Sequence, residues 1–234
     1  MSERGATSAQ RGYAICTEPR SGSIYLCQLL ASTGVLGAPT EYFNVRTMRW
    51  RGHADYPTDP EAQLAAITEL GATPNGVYGL KIFSQQFRAV AATRWAERLP
   101  SLSFLHLTRL DALGQAISHV RAIQTQQWTV RSTAHGAPRY DFGAIKDELV
   151  RLLNAQAGWS YYLARNGAPV LHIVYEQMIA APQQTVDAVA KFVGLGEPAS
   201  VDPSQLRVTP QRDALNAEWR ERFVAEARDL GSFP

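Results

Sequence analysis

The stretch Thr17-Glu18-Pro19-Arg20-Ser21-Gly22-Ser23 constrains this chain most, because it joins the apolar run Tyr13-Ala14-Ile15-Cys16 to Tyr25-Leu26-Cys27-Gln28-Leu29-Leu30. The first run reads as a buried strand, the Pro/Gly/Ser segment as a tight turn, and the last as a helix ending at Gly34. In that geometry the N–H groups at the helix start point into the turn and favour an anion there, so the segment predicts a phosphate cradle. It differs from the nucleoside-triphosphate loop, whose glycine is followed by lysine and a Mg²⁺-binding hydroxyl. Here Arg20 precedes the glycine and no Gly-Lys-Ser follows. Taken alone, the segment also reads as an ordinary strand-to-helix connection.

The order of the later elements bears on that choice. Val77–Phe83, Ser103–Thr108 and Val170–Tyr175 read as further strands, and Gly37–Phe43 as a fifth. Helical patterns run over about Glu61–Leu70, Gln85–Arg98, Ala112–Gln127, Phe142–Arg165, Gln183–Val193 and Asn216–Arg228. Strands alternating with helices predict an α/β fold of three layers, P-loop-like, with a mostly parallel central sheet flanked by helices. Ligands on such sheets bind at the carboxyl ends of the strands, where Arg20, Glu41, Arg109 and Glu176 are expected to emerge.

With 234 residues and no linker or internal repeat, the chain is expected to form a flexible terminus over 1–12 and a single domain over 13–234. A formal net charge of +2 does not point to nucleic acid, although the loops Arg46–Arg51 and Arg131–Arg139 are locally basic. Cys16 and Cys27 fall on apolar faces and read as reduced core residues, not as a disulfide or metal pair. No apolar run approaches membrane-spanning length and no leader pattern opens the sequence, so a cytoplasmic protein is expected.

A second anion site is legible where the strand Phe104-Leu105-His106-Leu107 runs into Thr108-Arg109. Mg²⁺-dependent phosphoryl-transfer enzymes commonly end such a strand in Asp, whereas this chain places a fixed cation there, with Asp111 two residues on. Ser118 follows on the next helix, where it either shares an anion with Arg109 or faces solvent. No metal is expected in the site.

The motifs Pro19-Arg20-Ser21-Gly22-Ser23, Gly37-Ala38-Pro39-Thr40-Glu41-Tyr42-Phe43 and Asn75-Gly76-Val77-Tyr78-Gly79-Leu80-Lys81 resemble those of bacterial carbohydrate sulfotransferases of the trehalose sulfotransferase type. So does Arg109 followed by Gln115-Ala116-Ile117-Ser118-His119-Val120-Arg121-Ala122-Ile123-Gln124-Thr125-Gln126-Gln127-Trp128. Val174-Tyr175-Glu176, Phe192-Val193-Gly194-Leu195, and Gln211-Arg212 with Glu218-Trp219 extend the resemblance from about residue 13 to the end.

The resemblance implies transfer of a sulfonate from 3′-phosphoadenosine 5′-phosphosulfate to a hydroxyl of a carbohydrate or glycolipid. It assigns Arg20, Ser21, Gly22 and Ser23 to the 5′-phosphosulfate, Arg109 and Ser118 to the 3′-phosphate, and Arg212 as a further donor-binding cation. Transfer moves negative charge onto the departing phosphate, so Arg20 near the bridging oxygen acts mainly on the transition state. Glu41 stands at the position of the family's glutamate and is the expected general base. His119 is the competing base, or else a packed helix residue. Lys81 either assists at the site or packs its stem beneath it. Arg121, Gln124 and Trp128 follow Ser118 at helical spacing and are expected to line the acceptor side, where an aromatic face with polar neighbours suits a sugar. Tyr175 and Glu176 read as architectural. Similar enzymes often carry a hydroxyl or amide residue where this chain has Ile24, so a rearranged phosphate contact is expected. Two other readings stay open: a catalytically silent sulfonucleotide-binding protein, and a nucleotide kinase-like phosphotransferase. A homodimer is an expectation carried from the family alone.

Overall fold

Alternating apolar residues determine how the sheet is covered. A computed structural model describes residues 9–128, 135–208 and 214–229. Its strands are β1 (Arg11–Thr17), β2 (Val77–Phe83), β3 (Leu102–Thr108) and β4 (Val170–Val174), paired in the order β2-β1-β3-β4. Every pairing is parallel, so the carboxyl ends Thr17, Phe83, Thr108 and Val174 lie along one edge. The helices are α1 (Ser23–Ser32), α2 (Val45–Trp50), α3 (Pro60–Leu70), α4 (Ser84–Val90), α5 (Trp95–Arg98), α6 (Ala112–Thr125), α7 (Phe142–Arg165), α8 (Tyr175–Ala180), α9 (Pro182–Phe192) and α10 (Ala214–Ala227).

Tyr13 and Ile15 of β1 face one way and, with Leu105, Leu107 and Ile173, pack on Leu26, Leu29 and Leu30 of α1, Met178 of α8 and Val186 and Val189 of α9. Ala14 and Cys16 face the other way, with Leu80, Ile82 and Phe104, under Ile67 of α3, Trp95 of α5, and Trp159 and Leu163 of α7. The two covered faces make the three expected layers. Both cysteines are buried and unpaired in disulfides, and burial pushes the Cys16 thiol far up and the Cys27 thiol to about 11.

Several expected boundaries move. Gly37–Phe43 is not a strand: Gly37 sits at φ 73°, Pro39 carries no N–H, and the segment accepts a backbone bond from Lys81 N at Thr40 O (2.8 Å). The basic stretch at 46–51 is a short helix, α2, capped by the Asn44 side chain, which accepts from Thr47 N at 3.1 Å. The helix expected over 85–98 breaks where Arg94 takes φ 51° between a 3₁₀ turn and α5. The strand expected to include Tyr175 stops one residue earlier, and Tyr175 opens α8. β1 begins at Arg11, inside the segment expected to be a flexible terminus. No helix among the described residues is long and apolar enough to cross a membrane.

One buried group gives the fold a pH dependence. His106, 3 % exposed on β3, has no hydrogen-bond partner on either ring nitrogen and lies edge-on to His172 of β4 at 5.6 Å. Burial, reinforced by the His172 charge, holds its pKa at about 4 instead of 6.5. The unfolded chain therefore binds this proton first as pH falls, so stability declines from about pH 6.5 towards pH 4, by up to about 3 kcal/mol from this group. Urea melts across that range should show a shallower decline for His106→Leu than for the parent; equal slopes would remove His106 from the acid response.

Candidate active site

At the carboxyl edge, β1 runs through Glu18-Pro19-Arg20-Ser21-Gly22 into α1. The turn is tight enough to need left-handed backbone at both Arg20 (φ 63°) and Gly22 (φ 85°). Arg20 adopts a conformation that costs a side-chain-bearing residue of order 1 kcal/mol, so its surroundings hold it there. Gly22 has a second requirement, since a Cβ at that position would lie 2.3 Å from the Tyr175 ring. No side chain caps α1, which leaves the N–H groups of its first turn to an acceptor from outside. Ser21 is buried with its hydroxyl 2.8 Å from Thr17 Oγ1, and Ser23 is buried at the helix start. Gln115 of α6 donates to Pro19 O at 2.7 Å and pins the turn from above. Ile24 points outward, 36 % exposed.

Arginines crowd around this turn. Arg20 donates from Nε to Ser118 Oγ (2.9 Å) and from Nη1 to Trp128 O (2.6 Å). Arg109 donates from Nη1 to Arg20 O (3.2 Å), stacks on Tyr175 at 5.0 Å, and reaches Asp111 through Nη2 (3.3 Å). Its Nε is buried without a partner. Arg121 donates to Asn216 Oδ1 of α10 at 2.6 Å. Burial first, and then the charges of Arg109 and Arg121, lower the Arg20 pKa, with Tyr175 opposing them. Cations gathered at the mouth of an uncapped helix form a site for an anion. Ser118 is therefore joined directly to Arg20, while Arg109 reaches the same turn through a backbone carbonyl. Asp111 caps α6 by accepting from Gly114 N (2.9 Å), pairs with Arg220 of α10, and has its own N–H held by Glu176 Oε1 (3.2 Å). Glu176 thus fixes the loop that presents Arg109.

A second cluster faces β2. Lys81, 4 % exposed, places Nζ 2.8 Å from Glu41 Oε1, and Glu41 Oε2 accepts from Asn44 Nδ2 and Gln86 Nε2, each at 2.9 Å. Burial would raise the Glu41 pKa, but the Lys81 charge and the hydrogen bonds from Lys81, Asn44 and Gln86 outweigh it, and the net direction is down. Glu41 is an ionised carboxylate with a buried cation behind it. The Lys81 ammonium does not reach out to solvent.

The remaining expected residues divide. His119 lies buried on α6, with Nδ1 2.6 Å from Glu148 Oε1 of α7 and its ring 5.8 Å from that of Trp128. Trp128 is 40 % exposed beside the arginines. Gln124 is turned away, its amide clasping the Arg139 backbone at both Nε2 and Oε1 (2.9 Å each). Arg212 and residues 131–134 lie outside the described residues. Sequence reasoning passed over Asn44, Gln86 and Gln115, which orient the principal groups, and over Glu18, Glu148 and Arg151. The Glu148/Arg151 spacing on one helix was a readable signal for an ion pair. Two surface hollows, of about 320 Å³ beside α9 and about 230 Å³ between α4 and α7, lie outside the arginine cluster.

Comparison with known proteins accords with this geometry. Trehalose 2-sulfotransferase of Mycobacterium tuberculosis is 28% identical over 95% of this chain and 98% of its own length. That of Mycolicibacterium smegmatis is 25% identical over 94% and 96%. Among solved structures, a sulfotransferase from Alicyclobacillus acidocaldarius superposes with a TM-score of 0.55 at 16% identity, covering 95% of this chain and 98% of that one, which is a likeness of fold. The Stf0 sulphotransferase family model matches residues 12–226, and the chain belongs to that family of sulfotransferase enzymes.

Proposed function

We propose that the enzyme transfers a sulfonate from 3′-phosphoadenosine 5′-phosphosulfate to a hydroxyl of a carbohydrate or glycolipid. The observation that carries this reading is the arginine cluster over the left-handed turn. Burial and then its cationic neighbours disfavour the charge on Arg20, and Arg109 keeps a buried, unpartnered Nε, so the residues present fit a ligand with more than one anionic group. Arg20 with the Ser21-Gly22-Ser23 turn would hold the 5′-phosphosulfate, Arg109 with Ser118 the 3′-phosphate, and Arg212 is assigned to the donor as well. When bound, the donor supplies the sulfonate and a bisphosphate leaving group.

The protein's own groups supply the rest. Arg20 is held in place by Ser118 and the Trp128 carbonyl, so its charge is oriented before the reaction begins. Glu41 accepts the acceptor hydroxyl's proton. Two amides engage its Oε2, and Oε1, shared with Lys81, is the oxygen left for that proton. Lys81 keeps the carboxylate ionised until then. Arg121 and Trp128 offer a cation and a half-exposed indole face to the acceptor. Trehalose, the acceptor named for the mycobacterial relatives, is the first candidate in an acceptor panel.

Because fixed guanidinium groups supply the positive charge, adenosine 3′,5′-bisphosphate should bind in the presence of a metal chelator. Calorimetry with and without EDTA measures this, and affinity that returns only with Mg²⁺ would contradict it. Arg109→Ala should weaken that binding by about 2–4 kcal/mol and Ser118→Ala by about 1 kcal/mol, with much smaller losses for a ligand lacking the 3′-phosphate. Equal Arg109→Ala losses for both ligands would reassign the arginine.

Glu41→Gln should lower single-turnover sulfonation of an accepted sugar by roughly 10²–10⁴ fold while leaving bisphosphate affinity little changed. His119→Ala should retain most of the chemical step. The reverse pattern, a near-normal Glu41→Gln and a collapsed His119→Ala, would move the base role to the imidazole.

A further inference from the structure

The residue before Pro19 presents a difficulty for an anion site. Glu18 is 3 % exposed, and its carboxylate lies at the root of the turn that carries Arg20. Its Oε1 accepts from Ser84 N (3.0 Å) and from Trp159 Nε1 (3.3 Å). A buried carboxylate so placed opposes an incoming anion unless a cation neutralises it.

That cation comes from α7. Arg151 Nη1 donates to Glu18 Oε2 at 2.9 Å, while its Nε and Nη2 fork onto Glu148 Oε2 and Oε1 at 2.8 Å each. Glu148 in turn meets His119 Nδ1. Burial would raise the Glu148 pKa, but hydrogen bonds from Arg151 and His119 and their charges pull it down to about 2. An ionised carboxylate only accepts, so Nδ1 carries the proton and Nε2 is the imidazole's remaining polar atom. One guanidinium thus joins the underside of the donor turn to the helix that carries Ser118, His119 and Arg121.

We infer that Arg151 is a positioning residue of the sulfonate-donor site, neutralising Glu18 beneath the turn and, through Glu148, setting the orientation of His119. The inference rests on the donor reading above. Arg151 touches neither reacting group: it removes a charge that would repel the donor and locks the imidazole beside the arginines.

The test is electrostatic rescue. Adenosine 3′,5′-bisphosphate binding is measured by calorimetry on folded R151M, E18Q and R151M/E18Q, with unfolding midpoints recorded alongside. R151M should lose roughly tenfold in affinity, and the double variant should recover to within about threefold of the parent, because removing the carboxylate removes the need for the cation. Loss that E18Q does not rescue, or an R151M that binds normally, overturns the loop half of the inference. Should R151M not fold, R151K and R151K/E18Q replace it, since lysine keeps one charge but cannot fork across two carboxylates. Imidazole ¹⁵N shifts of His119 test the other half without any ligand: the parent should show protonated Nδ1 and E148Q should lose that preference, whereas an unchanged spectrum overturns it. Parent protein that binds no bisphosphate defeats the donor reading and the loop half with it, while the ¹⁵N result still decides the Glu148–His119 half.

Discussion

Like charges held close together are the interaction on which the rest of this site depends. Burial disfavours the charge on Arg20, and the charges of Arg109 and Arg121 add to the effect. Such a cluster persists only if each guanidinium is held by fixed partners. Arg20 is tied to Ser118 and the Trp128 carbonyl, Arg109 to Tyr175, Asp111 and the Arg20 carbonyl, and Arg121 to Asn216. Much of the chain beyond the sheet serves this purpose. α8 contributes Tyr175 and Glu176, α6 contributes Ser118 and Gln115, and α10 braces Arg121 and Asp111 through Asn216 and Arg220. The stability sacrificed in assembling these charges is the preorganisation that an anionic ligand finds on arrival.

The parallel sheet makes that arrangement possible. In a parallel sheet every strand delivers its carboxyl end to the same edge, so residues far apart in the chain meet there. Arg20 follows β1, Ser84 and Gln86 follow β2, Arg109 follows β3, and Tyr175 and Glu176 follow β4. Glu41 arrives differently. It sits on an irregular segment bound to β2 through the Lys81 N–H and Thr40 carbonyl, and the same lysine then pairs with it through Nζ. The backbone and side chain of one residue thus fix both the path of the segment and the position of its carboxylate.

The parts legible in the sequence were those governed by local rules. Hydrophobic runs bounded by Gly, Pro and Asn located β1 to β4, and the 3.6-residue period located α6, α7 and α9 to within a residue or two. The turn at Arg20 to Ser23 was legible because Pro, Gly and Ser next to an apolar run leave few alternatives. Gly37–Phe43 misled because its aromatic and threonine residues suit a strand, while Gly37 and Pro39 prevent the ladder from continuing. Gln124 misled because helical spacing places it one turn from Arg121, yet the backbone at Arg139 captures its amide. Glu18, Gln86 and the reach of Arg151 beyond its own helix were invisible for another reason. Their roles come from contacts between elements far apart in sequence, such as the 133-residue separation between Glu18 and Arg151, which no local period encodes.

Those non-local contacts also separate the two acid–base candidates. Glu41 and His119 each meet a charged partner, but of opposite kind. Lys81 stabilises the anionic form of Glu41, which is the form that accepts a proton, and two amides saturate the oxygen turned away from it. Glu148 instead takes the Nδ1 side of His119, fixing the ring's orientation and leaving only Nε2 unengaged by it. The Glu41 carboxylate thus stands against a buried cation with one oxygen saturated, whereas the His119 ring is one end of a charge chain that runs through Glu148 and Arg151 to Glu18. The buried lysine on β2 and the chain of paired charges from α7 to the turn after β1 are separate sets of contacts, so each carboxylate, Glu41 and Glu18, is balanced by its own cation.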